Sequence, residues 1–289
     1  MNTREWALVA FTLLMQTSVG VLLVVAVLQP LASRGSAHAS ARPFDLPLLV
    51  ASIAAMLGLL ASLVHLGQPA QAWLALANVR SSWLSREVLL AVLFAIAAGS
   101  FTALVRTGSG SPALRTLVCA LAAVGGVASV FAMSRLYLVP GQPAWNRLAT
   151  PIGFYATTVL LGMVVVIALL PQASPGLKPG TYAGSPLLIL SMIALLTVQL
   201  VLLPAQMGAL VREPAAAISA ISVGQATWLA AGRALAAIAA LVLLVFLLRS
   251  TPGTAFPAGA QIALVAFVFA SELLGRVLFY ASAVRLGPV

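Results

Sequence analysis

The feature that most constrains this chain is a series of eight long apolar segments joined by short connections. A helix needs about 20 apolar residues to cross the hydrocarbon core of a bilayer, and each segment reaches or approaches that length. With 62% hydrophobic and 7% charged residues, little of the sequence could form a water-soluble domain. We therefore expect an all-α integral membrane protein, in which residues 1–289 form one polytopic domain, a bundle of eight transmembrane helices. The predicted spans are 6–28, 46–66, 88–105, 114–133, 152–170, 187–210, 228–248 and 260–280.

The net charge of +10 does not require a nucleic-acid partner. Most of the arginines lie near the ends of the apolar segments, where their long side chains can reach lipid headgroups. An even number of spans places both ends of the sequence on one side of the membrane, together with the connections after helices two, four and six. We call this side X and the opposite side Y. Lys and Arg are divided almost equally between the two sides, so charge alone does not orient the protein.

The ionisable and tyrosine side chains inside or at the ends of the segments lie towards side X. They are His65, Arg86, Glu87, Arg135, Tyr137, Arg233, Glu272, Arg276 and Tyr280. A transport pathway normally needs polar groups at both depths and near the midplane of the membrane. This one-sided distribution favours a site at one membrane surface, although a proton-coupled secondary transporter remains an alternative.

His65 and Glu87 are the candidate catalytic residues, because they lie near facing ends of the second and third segments. A carboxylate at this position could accept a proton from a bound substrate, and the histidine could bind that substrate or relay the proton. Structural explanations are also open. With Ser85 as the N-cap, Glu87 would lie at the second helical position, where the helix dipole favours a carboxylate. His65 could serve as a structural hydrogen-bonding group. Residues 69–78 between them are predicted to form a short interfacial helix that covers the site.

Glu272, Arg276 and Tyr280 recur at intervals of four residues and therefore share one face of the last helix. That face should point into the bundle, since charged groups are costly in lipid. We expect these three residues to contribute to substrate binding together with His65, Arg86, Arg135 and Arg233. The alternative is that Glu272 and Arg276 only neutralise each other and fix the helix to its neighbours.

Helix packing is predicted from small residues and from a proline. Small residues at intervals of four, such as Ala54 with Gly58 and Ala95 with Gly99, permit close approach of helices. Pro204 should bend helix six because it removes a backbone hydrogen bond. Gln199 and Gln206 are expected to satisfy the backbone groups that are freed there.

Resident redox cofactors are not expected. A transmembrane b-type haem usually needs two intramembrane histidines, whereas only His65 lies in a span, and the lone Cys119 cannot hold an iron–sulfur cluster. No metal site is predicted. A role in electron transfer would therefore require a diffusible two-electron carrier and a partner that accepts the electrons.

Several short motifs, taken together, resemble one known family. They are Glu5 and Trp6 followed by Gln16, HLGQP at 65–69, ALAN at 75–78, SSWLSRE at 81–87, SRLY at 134–137, PAWN at 143–146 and GRVLFYAS at 275–282. Over essentially its whole length, the chain resembles the membrane anchor subunits of dimethyl sulfoxide reductases.

The resemblance implies an eight-helix anchor, without haem or iron–sulfur cluster, in the bacterial inner membrane, with both of its termini and its site on the periplasmic side. It implies menaquinol as the diffusible substrate, which the anchor oxidises. It also implies two partners, an iron–sulfur electron-transfer subunit and a molybdopterin catalytic subunit. His65 and Glu87 match the histidine and glutamate associated with the quinol site in this family. The anchor of another molybdoenzyme, acting on polysulfide, tetrathionate or an oxyanion, remains an alternative, because the terminal acceptor is chosen by a different subunit.

Overall fold

The computed structural model describes residues 3–35, 43–65, 77–142, 144–173, 186–212, 218–219, 222–249, 257–282 and 284–285. Within these residues the chain forms eight helices that are long and apolar enough to cross a membrane, which confirms the predicted multi-pass membrane protein. The helices are α1 (Thr3–Gly35), α2 (Asp45–His65), α3 (Trp83–Thr107), α4 (Pro112–Arg135), α5 (Ala149–Ala173), α6 (Pro186–Arg212), α7 (Val223–Arg249) and α8 (Ala258–Ala281). Two short strands, β1 (Ile218–Ser219) and β2 (Val284–Arg285), pair antiparallel on side X.

The start of α3 differs from the sequence prediction. The helix begins at Trp83, and its N-cap is Ser82, whose hydroxyl oxygen accepts the backbone N–H of Ser85 at 3.4 Å. The prediction of Ser85 as the cap is therefore wrong by one turn. Glu87 lies beyond the first turn of α3, where the favourable effect of the helix dipole on a carboxylate has largely decayed.

The helices form two four-helix bundles that lie side by side. In the first bundle, each of the helices α1 to α4 packs against the next one in the sequence, and α4 also packs against α1. Helices α5 to α8 are arranged in the same way in the second bundle. The bundles meet where α1 packs on α5, and this seam is flanked by matching contacts of α1 with α8 and of α4 with α5. Accordingly, 72% of the residues in an 18-residue apolar stretch of α1 and of α5 are buried, against 28% to 44% in the corresponding stretches of the other helices.

A pair of glycines brings α1 and α5 into backbone contact. A methyl group added at Gly20 would overlap the carbonyl oxygen of Thr158, and one added at Gly162 would overlap the backbone of Gly20. The sequence patterns did not predict this pair. Gly58 does pack closely, since an added methyl group would lie 3.1 Å from Met15 Cγ, but Gly99 faces open space and its predicted packing role is wrong.

Large apolar side chains cover the outer surfaces of the helices, as contact with lipid requires. Examples from five helices are Val27, Ile96, Val124, Val201 and Val242, all of which are more than half exposed. The polar side chains described next point in the opposite direction, into the interior.

Candidate functional site

A buried polar cluster in the second bundle centres on Glu272 of α8. The Thr157 hydroxyl of α5 donates to Glu272 Oε2 at 2.5 Å, and Gln199 Nε2 of α6 donates to both carboxylate oxygens at 3.1 and 3.0 Å. Arg233 of α7 donates to Gln199 Oε1 at 2.5 Å and to Gln206 Oε1 at 3.1 Å. Four helices therefore contribute to one hydrogen-bonded group, which we call the Glu272 cluster. Its members are Thr157, Gln199, Gln206, Arg233 and Glu272.

Gln199 occupies the middle of this cluster. Its amide oxygen accepts a hydrogen bond from Arg233, and its amide nitrogen donates to the carboxylate of Glu272. Gln199 therefore bridges two side chains that are both nearly inaccessible to solvent. Pro204 lies inside α6 as predicted. The expectation that Gln199 satisfies backbone groups freed by this proline is wrong, because its amide is engaged by the charged side chains.

Arg276 lies one turn from Glu272 on α8 and has a hydrogen-bond partner in the first bundle. It donates to Gln16 Oε1 of α1 at 2.5 Å, and Gln16 Nε2 donates to the carbonyl oxygen of Phe154 at 2.8 Å. Its guanidinium carbon lies 4.0 Å from the centre of the Phe154 ring, close enough for a cation–π interaction. Arg276 therefore ties α8 to both α1 and α5, whereas Glu272 accepts its hydrogen bonds from α5 and α6.

A small cavity of about 30 Å³ lies between these groups, and its lining includes Thr157, Gln199, Arg233, Glu272 and Arg276. This is room for a water molecule with several polar partners. Gly275 helps to create the space, because a methyl group there would lie 2.7 Å from the guanidinium carbon of Arg233. Two guanidinium groups face one carboxylate, so the cluster leaves an excess of positive charge within the membrane.

Glu87 of α3 belongs to a second buried polar group on the same side of the membrane. Its side chain is 2% exposed, and within the described part of the chain its Oε1 atom has no hydrogen-bond partner. The carboxylate lies close enough to the hydroxyl groups of Tyr137 and Tyr280 to interact with both electrostatically. An intramembrane carboxylate with an unused acceptor is costly, and such residues mark functional sites more often than structural ones.

The two tyrosines form a hydroxyl pair beside Glu87. Their oxygen atoms are 2.9 Å apart, and both side chains are buried. Burial, followed by the neighbouring Tyr280 hydroxyl, raises the pKa of Tyr137 well above its usual range, so that Tyr137 keeps its proton. Arg276 also acts electrostatically on both hydroxyl groups, which links this pair to the Glu272 cluster.

Aromatic rings enclose the tyrosine pair. The ring centre of Tyr137 lies 5.2 Å from that of Trp145, 5.7 Å from that of Phe154 and 5.1 Å from that of Phe279. The indole N–H of Trp145 donates to the carbonyl oxygen of Phe279 at 2.7 Å. The connection after α4 is thus fixed to the end of α8, and the tyrosine pair lies among packed aromatic rings.

Arg86 and Arg135 lie at the rim rather than in these clusters. Arg86 donates to the backbone carbonyls of Val79 at 2.9 Å and Arg80 at 2.6 Å, which fixes the turn before α3. The guanidinium carbons of Arg86 and Arg135 lie 4.4 and 5.2 Å from the ring centre of Trp83. The two arginines therefore join the start of α3 to the end of α4 through one indole ring.

The structure thus brings together three of the predicted site residues, Arg233, Glu272 and Arg276, around one small cavity. It places Tyr280 with Tyr137, in a pair that interacts electrostatically with Glu87. His65 is the last residue of α2, and its side chain lies outside the described residues. The predicted helical cover at 69–78 also lies outside them, except for residues 77 and 78, which belong to a turn and not to a helix. Sequence reasoning missed the roles of Gln16, Thr157 and Gln199. The available signal was a polar side chain in an otherwise apolar segment, which predicts an inward-facing position but not its partner.

Comparison with known proteins agrees with the motifs. The sequence model of the DMSO reductase anchor subunit (DmsC) family matches residues 1–282. The C subunit of the anaerobic dimethyl sulfoxide reductase of Haemophilus influenzae is 30% identical over 173 residues, which are 59% of this chain and 61% of that relative. The corresponding C subunit of Escherichia coli K12 is 33% identical over 174 residues, 59% of each protein. The anaerobic dimethyl sulfoxide reductase protein YnfH of the same strain is 30% identical over 196 residues, 67% of this chain and 65% of the relative.

The aligned parts span about three fifths to two thirds of these curated relatives. The family match is more extensive and covers all eight helices. The apolar helices, the motifs and this match lead to the same conclusion, and the chain belongs to the family of DMSO reductase anchor subunits.

Proposed function

We propose that this chain oxidises menaquinol in the bacterial inner membrane and passes the electrons to an iron–sulfur partner subunit of a dimethyl sulfoxide reductase complex. A molybdopterin subunit of that complex reduces the terminal acceptor. The observation that carries the proposal is the carboxylate of Glu87, buried in a membrane helix beside two hydroxyl groups with Oε1 lacking a described partner. Membership of the anchor family supports it.

Oxidation of a quinol to a quinone releases two electrons and two protons, and the electrons leave to the partner on side X. Glu87 accepts one proton from a quinol hydroxyl group through Oε1, which has no hydrogen-bond partner among the described residues. This is the task of a general base. His65, at the end of the neighbouring helix, binds the other quinol oxygen or relays the second proton. The two tyrosine hydroxyls provide hydrogen-bonding groups beside this site.

The arginines set the electrostatic potential of the site. Arg233 and Arg276 outweigh Glu272, and the excess positive charge stabilises a quinol oxygen that is losing its proton. Arg276 is well placed for this role because it acts on the hydroxyl groups of both Tyr137 and Tyr280. Arg86 and Arg135 hold the rim of the site through Trp83. In the complex, side X faces the periplasm and carries the partner subunits.

Purification from native membranes tests the proposal. A tagged full-length protein should copurify with an iron–sulfur subunit and a molybdenum subunit, and the complex should oxidise a menaquinol analogue when dimethyl sulfoxide is supplied. Quinol oxidation with polysulfide, tetrathionate or an oxyanion, but not with dimethyl sulfoxide, would assign the chain to another molybdoenzyme. A protein that purifies alone and drives proton-coupled uptake in proteoliposomes would contradict the proposal.

A further inference from the structure

An apolar groove of about 530 Å³ runs along the lipid-facing surface where the two bundles meet. Helix α4 supplies most of its lining, including Ala123, Val124 and Ala128, while Leu23 of α1 and Tyr155 of α5 form the opposite wall. The Tyr155 hydroxyl donates to the carbonyl oxygen of Val127 at 2.9 Å, so this polar atom of the wall is already satisfied. A groove of this size and character suits a flexible hydrocarbon tail.

The position of the groove connects it to the proposed site. At one end lies Phe131, whose ring meets the ring of Trp83 edge-on with centres 5.8 Å apart. Trp83 is one helical turn from Glu87 on α3. From Phe131 to Ala123 the groove follows about 12 Å of α4 towards the middle of the membrane. It therefore begins near the level of Glu87 and leads into the hydrocarbon core.

We propose that this groove holds the isoprenoid tail of the quinol while the headgroup is at Glu87, an inference that rests on the proposed function. The groove begins at Phe131, a full turn inside the end of α4 at Arg135, so that its entrance lies at the depth of the Glu87 site. A quinol headgroup is small and weakly polar, so it can lie at this depth with its tail running inward.

Filling the groove should weaken binding of tailed quinols selectively. In the membrane-bound complex, Ala128→Phe or Val124→Phe should raise the KM for a prenylated naphthoquinol by about tenfold or more, since losing contacts equivalent to two methylene groups corresponds to that factor. The KM for the same naphthoquinol without a tail should change less than about twofold, because this substrate makes no contact with the groove. Val242→Phe is the matched control, because Val242 lies on α7, away from the groove, and is 65% exposed compared with 69% for Val124. It should change neither KM.

The two substrates separate failure of this inference from failure of the proposed function. If the unsubstituted complex oxidises neither quinol, the proposed function fails and the groove assignment falls with it. If it oxidises both, and the groove variants raise both KM values equally or leave both unchanged, only the groove assignment is overturned. Retention of a phospholipid by the purified protein, lost in Val124→Phe without any change in either KM, would assign the groove to lipid instead. Because Val124 is largely exposed, this variant should fold even if Ala128→Phe does not, and activity with the tailless quinol reports folding.

Discussion

Replacement of Gln199 by leucine tests whether the Glu272 cluster is as closely connected as its geometry indicates. Leucine keeps most of the side-chain volume but removes the hydrogen bond from Arg233 at 2.5 Å and those to Glu272 at 3.0 and 3.1 Å. Interhelical hydrogen bonds in membranes are worth about 1–2 kcal/mol in model peptides, and bonds to charged groups lie at the upper end. Loss of the links to two charged partners therefore predicts a decrease of about 2–4 kcal/mol in the free energy of unfolding.

The assay is equilibrium unfolding of the purified full-length protein in bicelles, with two comparisons. Gln206→Leu removes the bond from Arg233 to Gln206 and should cost about half as much as Gln199→Leu. In a background that carries Arg233→Met and Glu272→Met, both charged partners are absent, so Gln199→Leu should cost little. An equal cost of Gln199→Leu in both backgrounds would refute the reasoning, because Gln199 would then act through another contact, such as the α6 backbone near Pro204.

Three further predictions concern packing, cofactors and partners. Gly20→Leu should greatly lower the yield of folded protein, because backbone atoms of α5 block the added side chain and the cost should exceed that of ordinary overpacking, about 1–3 kcal/mol. Gly99→Leu should be tolerated, since Gly99 faces open space. Equal yields of the two variants in fluorescence-detected gel filtration would contradict the assigned α1–α5 contact. The isolated protein should show no Soret band and no bound iron, and stoichiometric haem would overturn the proposed electron route through a diffusible quinol. Crosslinks to partner subunits should arise from the side X connections at 68–86, 138–150 and 212–227, and a crosslink map dominated by side Y would show that the docking side is misplaced.

The eight helices were predictable because membrane crossing depends on local composition. Apolar segments of sufficient length become helices whatever their neighbours are, since unpaired backbone groups are excluded from lipid. The ends of the predicted spans therefore agree with most helix ends to within about three residues, and the larger differences are at the end of α1 and at the starts of α3 and α7. At the start of α3, three serines precede or follow Trp83, and composition does not decide which of them caps the helix.

The partners of the buried polar groups were much less predictable. The face shared by Glu272, Arg276 and Tyr280 followed from helical periodicity, but which helix each residue meets depends on how the helices are arranged and rotated in the bundle. Glu272 and Arg276 are one turn apart, yet their hydrogen bonds reach different helices. Gly20 and Gly162 illustrate the same limit, because the close approach of α1 and α5 joins residues far apart in the sequence.

The central claim is that Glu87 accepts a proton from the quinol. Glu87→Gln keeps the size of the side chain, and because Ser82 rather than Ser85 caps α3, loss of the charge should have little effect on the start of the helix. Glu272→Gln is the matched control, since both carboxylates are 2% exposed, while Glu272 is held by Thr157 and Gln199. Because no proton is transferred to Glu272 in this proposal, Glu272→Gln should lower quinol-driven activity much less than Glu87→Gln does.

The most direct measurement compares quinol-driven and artificial-donor-driven reduction of the terminal acceptor on the same membranes. The artificial donor reduces the soluble subunits without using the quinol site, so it reports assembly and the later steps. For Glu87→Gln we predict near-normal activity with the artificial donor and a fall of about 10²-fold or more with quinol, the scale expected for loss of a general base. Equal losses of the two activities would contradict the claim and show that Glu87 is a structural residue.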